Sequence, residues 1–274
     1  MGGRLVYPVL SRRSRGLSLG INLFPEEKTC SFDCPYCEVF PEDIDGGRFS
    51  PPELERELGL FLDRDYPRSW APEPIRDICL SGNGEPSLSP YLEAALGICA
   101  AFRKSRPELL GQAKLVLITN STGFLNPEAS RVLGDYIESE GLEVWAKLDG
   151  GNAASFERMS RSGLDFGEIV RGISAFAARH TLTLQTMLCA VGGKPPLDAD
   201  FLDYMDLVAS LTALGARIAG IQLYTLARPS PEDSCEELGD RELQGFASAL
   251  RDRVALPVMA FGARGALDMP GTGR

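Results

Sequence analysis

Histidine is almost missing from this 274-residue chain, which has one, His180, beside seven cysteines. That scarcity removes zinc sites built from paired cysteines and histidines, and no second C-x2-C pair stands elsewhere to complete an all-cysteine site. Long apolar runs are missing too. No window approaches the roughly eighteen uninterrupted apolar residues of a membrane span, and residues 1–8 lack the apolar core of a signal peptide. A cytoplasmic location with reduced thiols and no membrane partner is therefore expected. Basic charge is in deficit, with 28 Lys and Arg against 38 Asp and Glu and a net charge of -10. Nucleic-acid binders ordinarily show a basic face, because neutralised phosphates supply most of their non-specific affinity. The balance counts against a large RNA substrate. Arg12, Arg13 and Arg15 form a basic cluster, either a local patch or a solvated arm. No linker divides the sequence. One domain over 1–274 is expected, with a core over about 17–250, an N-terminal arm over 1–16 and a C-terminal cap over 251–274.

What is present is concentrated in Thr29-Cys30-Ser31-Phe32-Asp33-Cys34-Pro35-Tyr36-Cys37, three cysteines spaced C-x3-C-x2-C. Thiolates are soft ligands that select iron-sulfur clusters, zinc or Cu(I). Zinc lacks its further ligands here, and three clustered cysteines cannot pair off into disulfides. A 4Fe-4S cluster is the natural remaining occupant; its four irons usually take four cysteines, so three leave one iron open. Cys79 and Cys99 lie in apolar patterns and read as core. Cys189 ends a predicted strand near the expected cavity, and Cys235 lies in an acidic loop. Neither adds the ligands of a second cluster, so one is expected. His180 follows a helical stretch, where a cation suits the helix dipole, and reads as structural.

Hydrophobic periodicity predicts strands over 17–24, 75–80, 114–118, 142–146, 182–188 and 218–224, with a further capping strand over 254–260. Helices are predicted over 50–62, 89–106, 127–140, 199–214 and 241–250. The first has Ser50 as cap, Pro51 in its first turn and Glu53 closing a capping box. Strand and helix alternate about six times, which implies a parallel sheet with helices outside. Polar residues gather where the strands end: the cysteines after the first, Glu85 after the second, Asn120 and Ser121 after the third, Lys147 and Asp149 after the fourth. Gln185 lies within the fifth, Gln222 and Tyr224 in the sixth. Barrels of this type carry their chemistry at the C-terminal strand ends. An unsatisfied buried polar group costs roughly 1–3 kcal/mol, so several together predict ligand partners. Singly they have duller readings: Lys147 and Asp149 as a salt bridge, Gln185 satisfying backbone, Tyr224 as packing.

Cys30, Cys34 and Cys37, with Tyr36 just before the third cysteine, resemble the cluster motif of the radical SAM superfamily. Ser11-Arg12-Arg13, Gly16-Leu17-Ser18-Leu19-Gly20-Ile21-Asn22, Lys147-Leu148-Asp149 and Gln222-Leu223-Tyr224-Thr225-Leu226-Ala227-Arg228-Pro229 are similar to its bacterial iron-sulfur oxidoreductases related to the wyosine-base tRNA-modifying enzymes. The resemblance covers roughly 4–250. It implies a partial (β/α)6 TIM-type barrel, one 4Fe-4S cluster on Cys30, Cys34 and Cys37, and S-adenosylmethionine (SAM) at the open iron. Gly82, Asn83, Gly84 and Glu85 correspond to the segment receiving the methionine end of SAM, with Glu85 accepting from its amino group. A glycine-rich turn allows such close approach to the backbone. Asn120 and Lys147, then Asp149, are the candidates for the ribose and carboxylate. Gln185 is placed towards the substrate, and Tyr36 and Tyr224 complete the cofactor-binding set.

The implied activity is reductive cleavage of SAM to methionine and a 5'-deoxyadenosyl radical, fed by a flavodoxin- or ferredoxin-like electron donor. The substrate is a small molecule, a peptide or tRNA. The archaeal wyosine enzymes add a second cluster from upstream cysteines, whereas no cysteine precedes Cys30 here. A non-enzymatic electron carrier with one cluster is the third reading.

Overall fold

The computed structural model describes residues 4–44 and 46–268, so residues 1–3 of the expected arm and 269–274 of the expected cap lie outside the described residues. The chain groups into two compact units, Met1–Cys30 with Val39–Thr119 and Pro127–Val144, and Ser31–Glu38 with Asn120–Asn126 and Trp145–Arg274.

The first unit carries β1 (Val6–Ser11), β2 (Gly16–Ile21), β3 (Ile75–Leu80) and β4 (Lys114–Thr119), paired in that order. β2, β3 and β4 are parallel, as the strand-helix pattern requires. Within the arm expected over 1–16, residues 6–11 form an edge strand antiparallel to β2, running from Val6↔Ile21 to Ser11↔Gly16. Pro8 is tolerated because an edge strand leaves one side of its backbone unpaired. The turn between them puts Arg15 at φ 56. Helix α1 (Pro51–Leu60) starts as predicted, with Ser50 accepting from the Glu53 amide. It does not stop near 62. A π-type turn over Phe61–Asp65 leads into α2 (Tyr66–Ser69), because Phe61, Leu62 and Tyr66 stay buried and hold the continuation on the core. Then come α3 (Leu92–Ser105), α4 (Pro107–Leu110) and α5 (Pro127–Glu140). Leu17, Leu19, Ile21, Ile78 and Leu80 from the strands and Leu54, Leu58 and Leu96 from the helices are fully buried, each contributing about 1.5–3 kcal/mol.

The second unit holds the last three residues of β5 (Glu143–Lys147), then β6 (Leu182–Met187), β7 (Cys189–Val191), β8 (Ile218–Tyr224), β9 (Cys235–Glu237), β10 (Val258–Gly262) and β11 (Gly265–Ala266). Its sheet runs β5-β6-β8-β10-β11. β10 lies parallel to β8, so the strand expected over 254–260 begins later and extends the sheet. β7 and β9 form a separate antiparallel ribbon. The helices are α6 (Ala153–Ser160), α7 (Phe166–Ala177), α8 (Asp198–Ala213) and α9 (Asp240–Arg253). Asn152 and Ser155 cap α6 reciprocally, and Asp165 caps α7. His180 follows α7 and packs its ring on Phe176 at 5.1 Å, a structural placement. No helix among the described residues is long and apolar enough to cross a membrane.

Candidate functional site

Cys30 belongs to the first unit, Cys34 and Cys37 to the second; all three are half-buried free thiols. Among the described residues no group of three or more His, Cys, Asp and Glu side chains is gathered as a metal site. In the second unit the loop is strapped to α6. The Asp33 amide donates to the Ser160 carbonyl at 2.8 Å, and Phe32 meets the Phe156 ring edge-on at 5.5 Å. The Cys37 amide donates to the Cys34 carbonyl at 3.0 Å, turning the chain between the two thiols.

Four sequence-predicted residues of that unit come together here. Tyr36 OH donates to Asp149 Oδ2, and Asp149 Oδ1 accepts from the Met187 amide at 2.8 Å. Lys147 Nζ lies 3.5 Å from Asp149, 4.4 Å from the Tyr36 ring centre and 3.1 Å from Tyr224 OH. The two aromatic faces and the carboxylate thus share one ammonium. Burial works against the Lys147 charge, but Asp149, Tyr224 and Cys34 outweigh it and hold its pKa above the ordinary value. Burial and then Asp149 push the Tyr36 phenol upward, so it remains a donor. Burial pushes the Cys34 thiol up to about 11, opposed by the Lys147 charge. The group is therefore a buried ammonium–carboxylate pair beside a loop thiol.

The glycine turn of the first unit is equally constrained. Gly82 has φ +124, and a Cβ there would lie 2.8 Å from Asn22 Oδ1. That oxygen accepts from the Asn83 amide at 3.2 Å and the Phe24 amide at 3.0 Å. Gly84 forms a parallel bridge with Thr29, the residue before Cys30, and the Glu85 amide donates to the Thr29 carbonyl at 2.8 Å. A Cβ on Gly84 would lie 2.1 Å from that carbonyl oxygen and 2.7 Å from the Phe24 ring. Gly84→Ala is therefore expected to destabilise the protein by about 1–3 kcal/mol, the usual range for overpacking. Urea denaturation checks this, and a midpoint equal to wild type would refute the enforced contact.

Glu85 is buried, and its Oε1 accepts from Ser87 N at 3.1 Å, Ser87 Oγ at 2.6 Å and Thr119 Oγ1 at 2.7 Å. Three donors of its own chain already fix this carboxylate. The buried Asn83 Nδ2 has no hydrogen-bond partner among the described residues. In the second unit, Asn120 donates to Ser31 Oγ at 2.8 Å and accepts from the Thr122 amide and hydroxyl, so it braces the cysteine loop. Gln185 Nε2 donates to Gln222 Oε1 at 2.7 Å, while Gln185 Oε1, fully buried, has no partner among the described residues. Gln185 thus lies in a neutral amide pair apart from the Lys147 cluster. Asn22, Thr29 and Thr119 were not singled out from sequence, because their roles come from partners far along the chain.

Cys79 and Cys99 are buried core residues, as expected. Cys189 lies in, and Cys235 packs against, the apolar group formed around Tyr36, Met187 and Tyr224.

No family model matches the chain. A UPF0026 protein of Helicobacter pylori is 28% identical over 228 residues, which cover 81% of this chain and 66% of the relative. The chain thus spans just under two thirds of that relative. Among solved structures, a radical SAM methyltransferase from Sphaerobacter thermophilus superposes with a TM-score of 0.63 at 13% identity, covering 89% of this chain and 65% of its own. Streptococcus suis SuiB bound to S-adenosylmethionine gives 0.60 at 12% identity, with 91% and 49% covered. The fold is accordingly the α/β partial barrel of the radical SAM type.

Proposed function

We propose that this chain is a radical SAM enzyme in which Cys30, Cys34 and Cys37 bind one 4Fe-4S cluster and SAM is the cosubstrate. The observation that carries the reading is the cysteine loop itself, whose Tyr36 is locked by Asp149 and Lys147 beside the Cys34 thiol. The donors suit the group: three free thiols for a soft cluster, and a buried amide donor on Asn83 with no partner of its own. When bound, the cluster supplies one electron for reductive cleavage of SAM to methionine and a 5'-deoxyadenosyl radical, which takes a hydrogen atom from substrate.

The chain's own groups bind and orient. The Lys147 ammonium stays charged and offsets the negative charge of thiolates beside it. Asp149 holds the Tyr36 ring. Gly82 and Gly84 let Asn22 and the Thr29 carbonyl close on the turn, Asn83 would offer its amide hydrogens to SAM, and Glu85 keeps the turn in shape and would accept from the amino group of SAM. Asn120 would serve the ribose. We further infer a cytoplasmic setting with a flavodoxin- or ferredoxin-like donor, which the free thiols suit. The net charge of -10 favours a small substrate over tRNA.

Anaerobic reconstitution tests the reading. The expected product binds iron and sulfide in equal amounts, and its reduced EPR spectrum changes on adding SAM. A well-formed cluster whose spectrum SAM leaves untouched would make the protein an electron carrier instead.

A further inference from the structure

The second unit contains a cavity of about 260 Å³ walled by the ends of β5 and β6, by β7, by α6 and by the first turn of α8. Met159, Met187, Leu188, Val191 and Phe201 make most of its surface apolar. An apolar cavity of roughly 150 Å³ takes one benzene ring, so this one takes a ring with a short arm. Nearly every polar group facing it is already answered. Thr186 Oγ1 lies 2.7 Å from Tyr204 OH and 3.0 Å from the Leu148 carbonyl. Arg158 pairs with Asp200, which also accepts from Asn152 at 3.0 Å. Asp149 is held by Tyr36, Lys147 and the Met187 amide.

One charge is left over. Lys194 closes the turn that follows β7, lines the cavity mouth, and has no ion-pair partner among the described residues. An apolar floor whose polar groups are mutually satisfied rejects a strongly hydrated ligand, because such a ligand would lose water contacts without replacement. The unengaged cation at the rim selects a single negative charge. We propose that this cavity is the substrate site and takes a small amphipathic carboxylate, its ring or branched chain on the apolar floor and its carboxylate at Lys194. This rests on the enzyme reading above and supplies its substrate class. Asp149 joins the two, since it lines the cavity and also holds Tyr36 of the cysteine loop.

The test needs no cluster. Binding of 3-phenylpropionate and of neutral 3-phenylpropan-1-ol to the metal-free full chain is measured by calorimetry and saturation-transfer NMR. Both are expected to bind saturably, the acid more tightly. Lys194→Gln should weaken the acid about threefold, the size of a half-exposed ion pair, and leave the alcohol unchanged. Leu197→Trp, at a half-exposed position on the rim, should block both. Absence of saturable binding, binding undiminished in Leu197→Trp, or equal weakening of acid and alcohol by Lys194→Gln would overturn the proposal. SAM cleavage by the reconstituted wild type is read separately. Cleavage without probe binding removes this site and leaves the enzyme standing, whereas probe binding without cleavage removes the enzyme reading.

Discussion

Cys34→Ala is expected to lower 5'-deoxyadenosine formation from SAM by more than about a hundredfold in reduced, reconstituted protein. The estimate is a lower bound, because altering even an outer-shell partner of a metal site costs roughly 10–100-fold in affinity or activity. Alanine removes a soft donor outright, and no fourth cysteine lies nearby in sequence to replace it. Cys99→Ala is the control. Cys99 is fully buried in α3, so its loss should lower stability modestly and leave cleavage per assembled cluster unchanged. Anaerobic chromatography of the products, normalised to iron content, distinguishes the two. Equal cleavage by wild type and Cys34→Ala would sink the ligand assignment. A fall of the same size in Cys99→Ala would point to misfolding instead.

The second large effect is on stability. Lys147→Met is expected to cost about 3 kcal/mol, at the low end of what removing one partner of a buried ion pair usually costs. The reason is what remains. Asp149 has a side chain only 6% exposed, and without the ammonium its charge would keep just the Tyr36 hydroxyl and the Met187 amide. Removing that charge as well, in Lys147→Met with Asp149→Asn, should recover part of the loss, since the neutral amide oxygen still accepts from the Met187 amide and its NH2 can donate to the rotatable Tyr36 hydroxyl. Chemical denaturation of the metal-free chain measures both variants. If the double variant is less stable than the single by the full cost of a second defect, the uncompensated charge is not the cause.

β3 over Ile75–Leu80, β8 over Ile218–Tyr224 and α5 over Pro127–Glu140 were legible residue for residue, because short apolar runs or a proline-led amphipathic pattern mark both ends. β1 was not. Its pairing with β2 is decided across a turn of arginines and serines that reads equally as a solvated arm. β7 and β9 have three residues each, too few for any period, and exist only through each other. Of α6 and α7 only the stretch before His180 reads as helical in the sequence, although Asn152 and Asp165 cap their starts. The same division runs through the site. Tyr36 and Tyr224 were nameable singly and Lys147 with Asp149 as a salt bridge, but that one ammonium serves all three others is a tertiary fact. Gln185 and Gln222 were both visible as polar intrusions in apolar strands. Their pairing follows from the β6–β8 register, which aligns Gln185 with Gln222 and which no single strand reveals.

The bridge between Thr29 and Gly84 sets where the chain can change length. Residue 22 is pinned to β1 through the Leu5 carbonyl, and residue 29 to the glycine turn. Beyond Phe24, which Asn22 holds beside Gly84, the segment closes a loop whose two ends are fixed, so added residues there cost only the slow logarithm of loop entropy. The stretch from Leu80 to Glu85 has no such slack. Each of its glycines meets a specific neighbour, and one inserted or deleted residue would shift Glu85 away from Thr119 and the Thr29 carbonyl together. Length variation is thus confined to the approach to the first cysteine, while the turn opposite it is fixed in residue count.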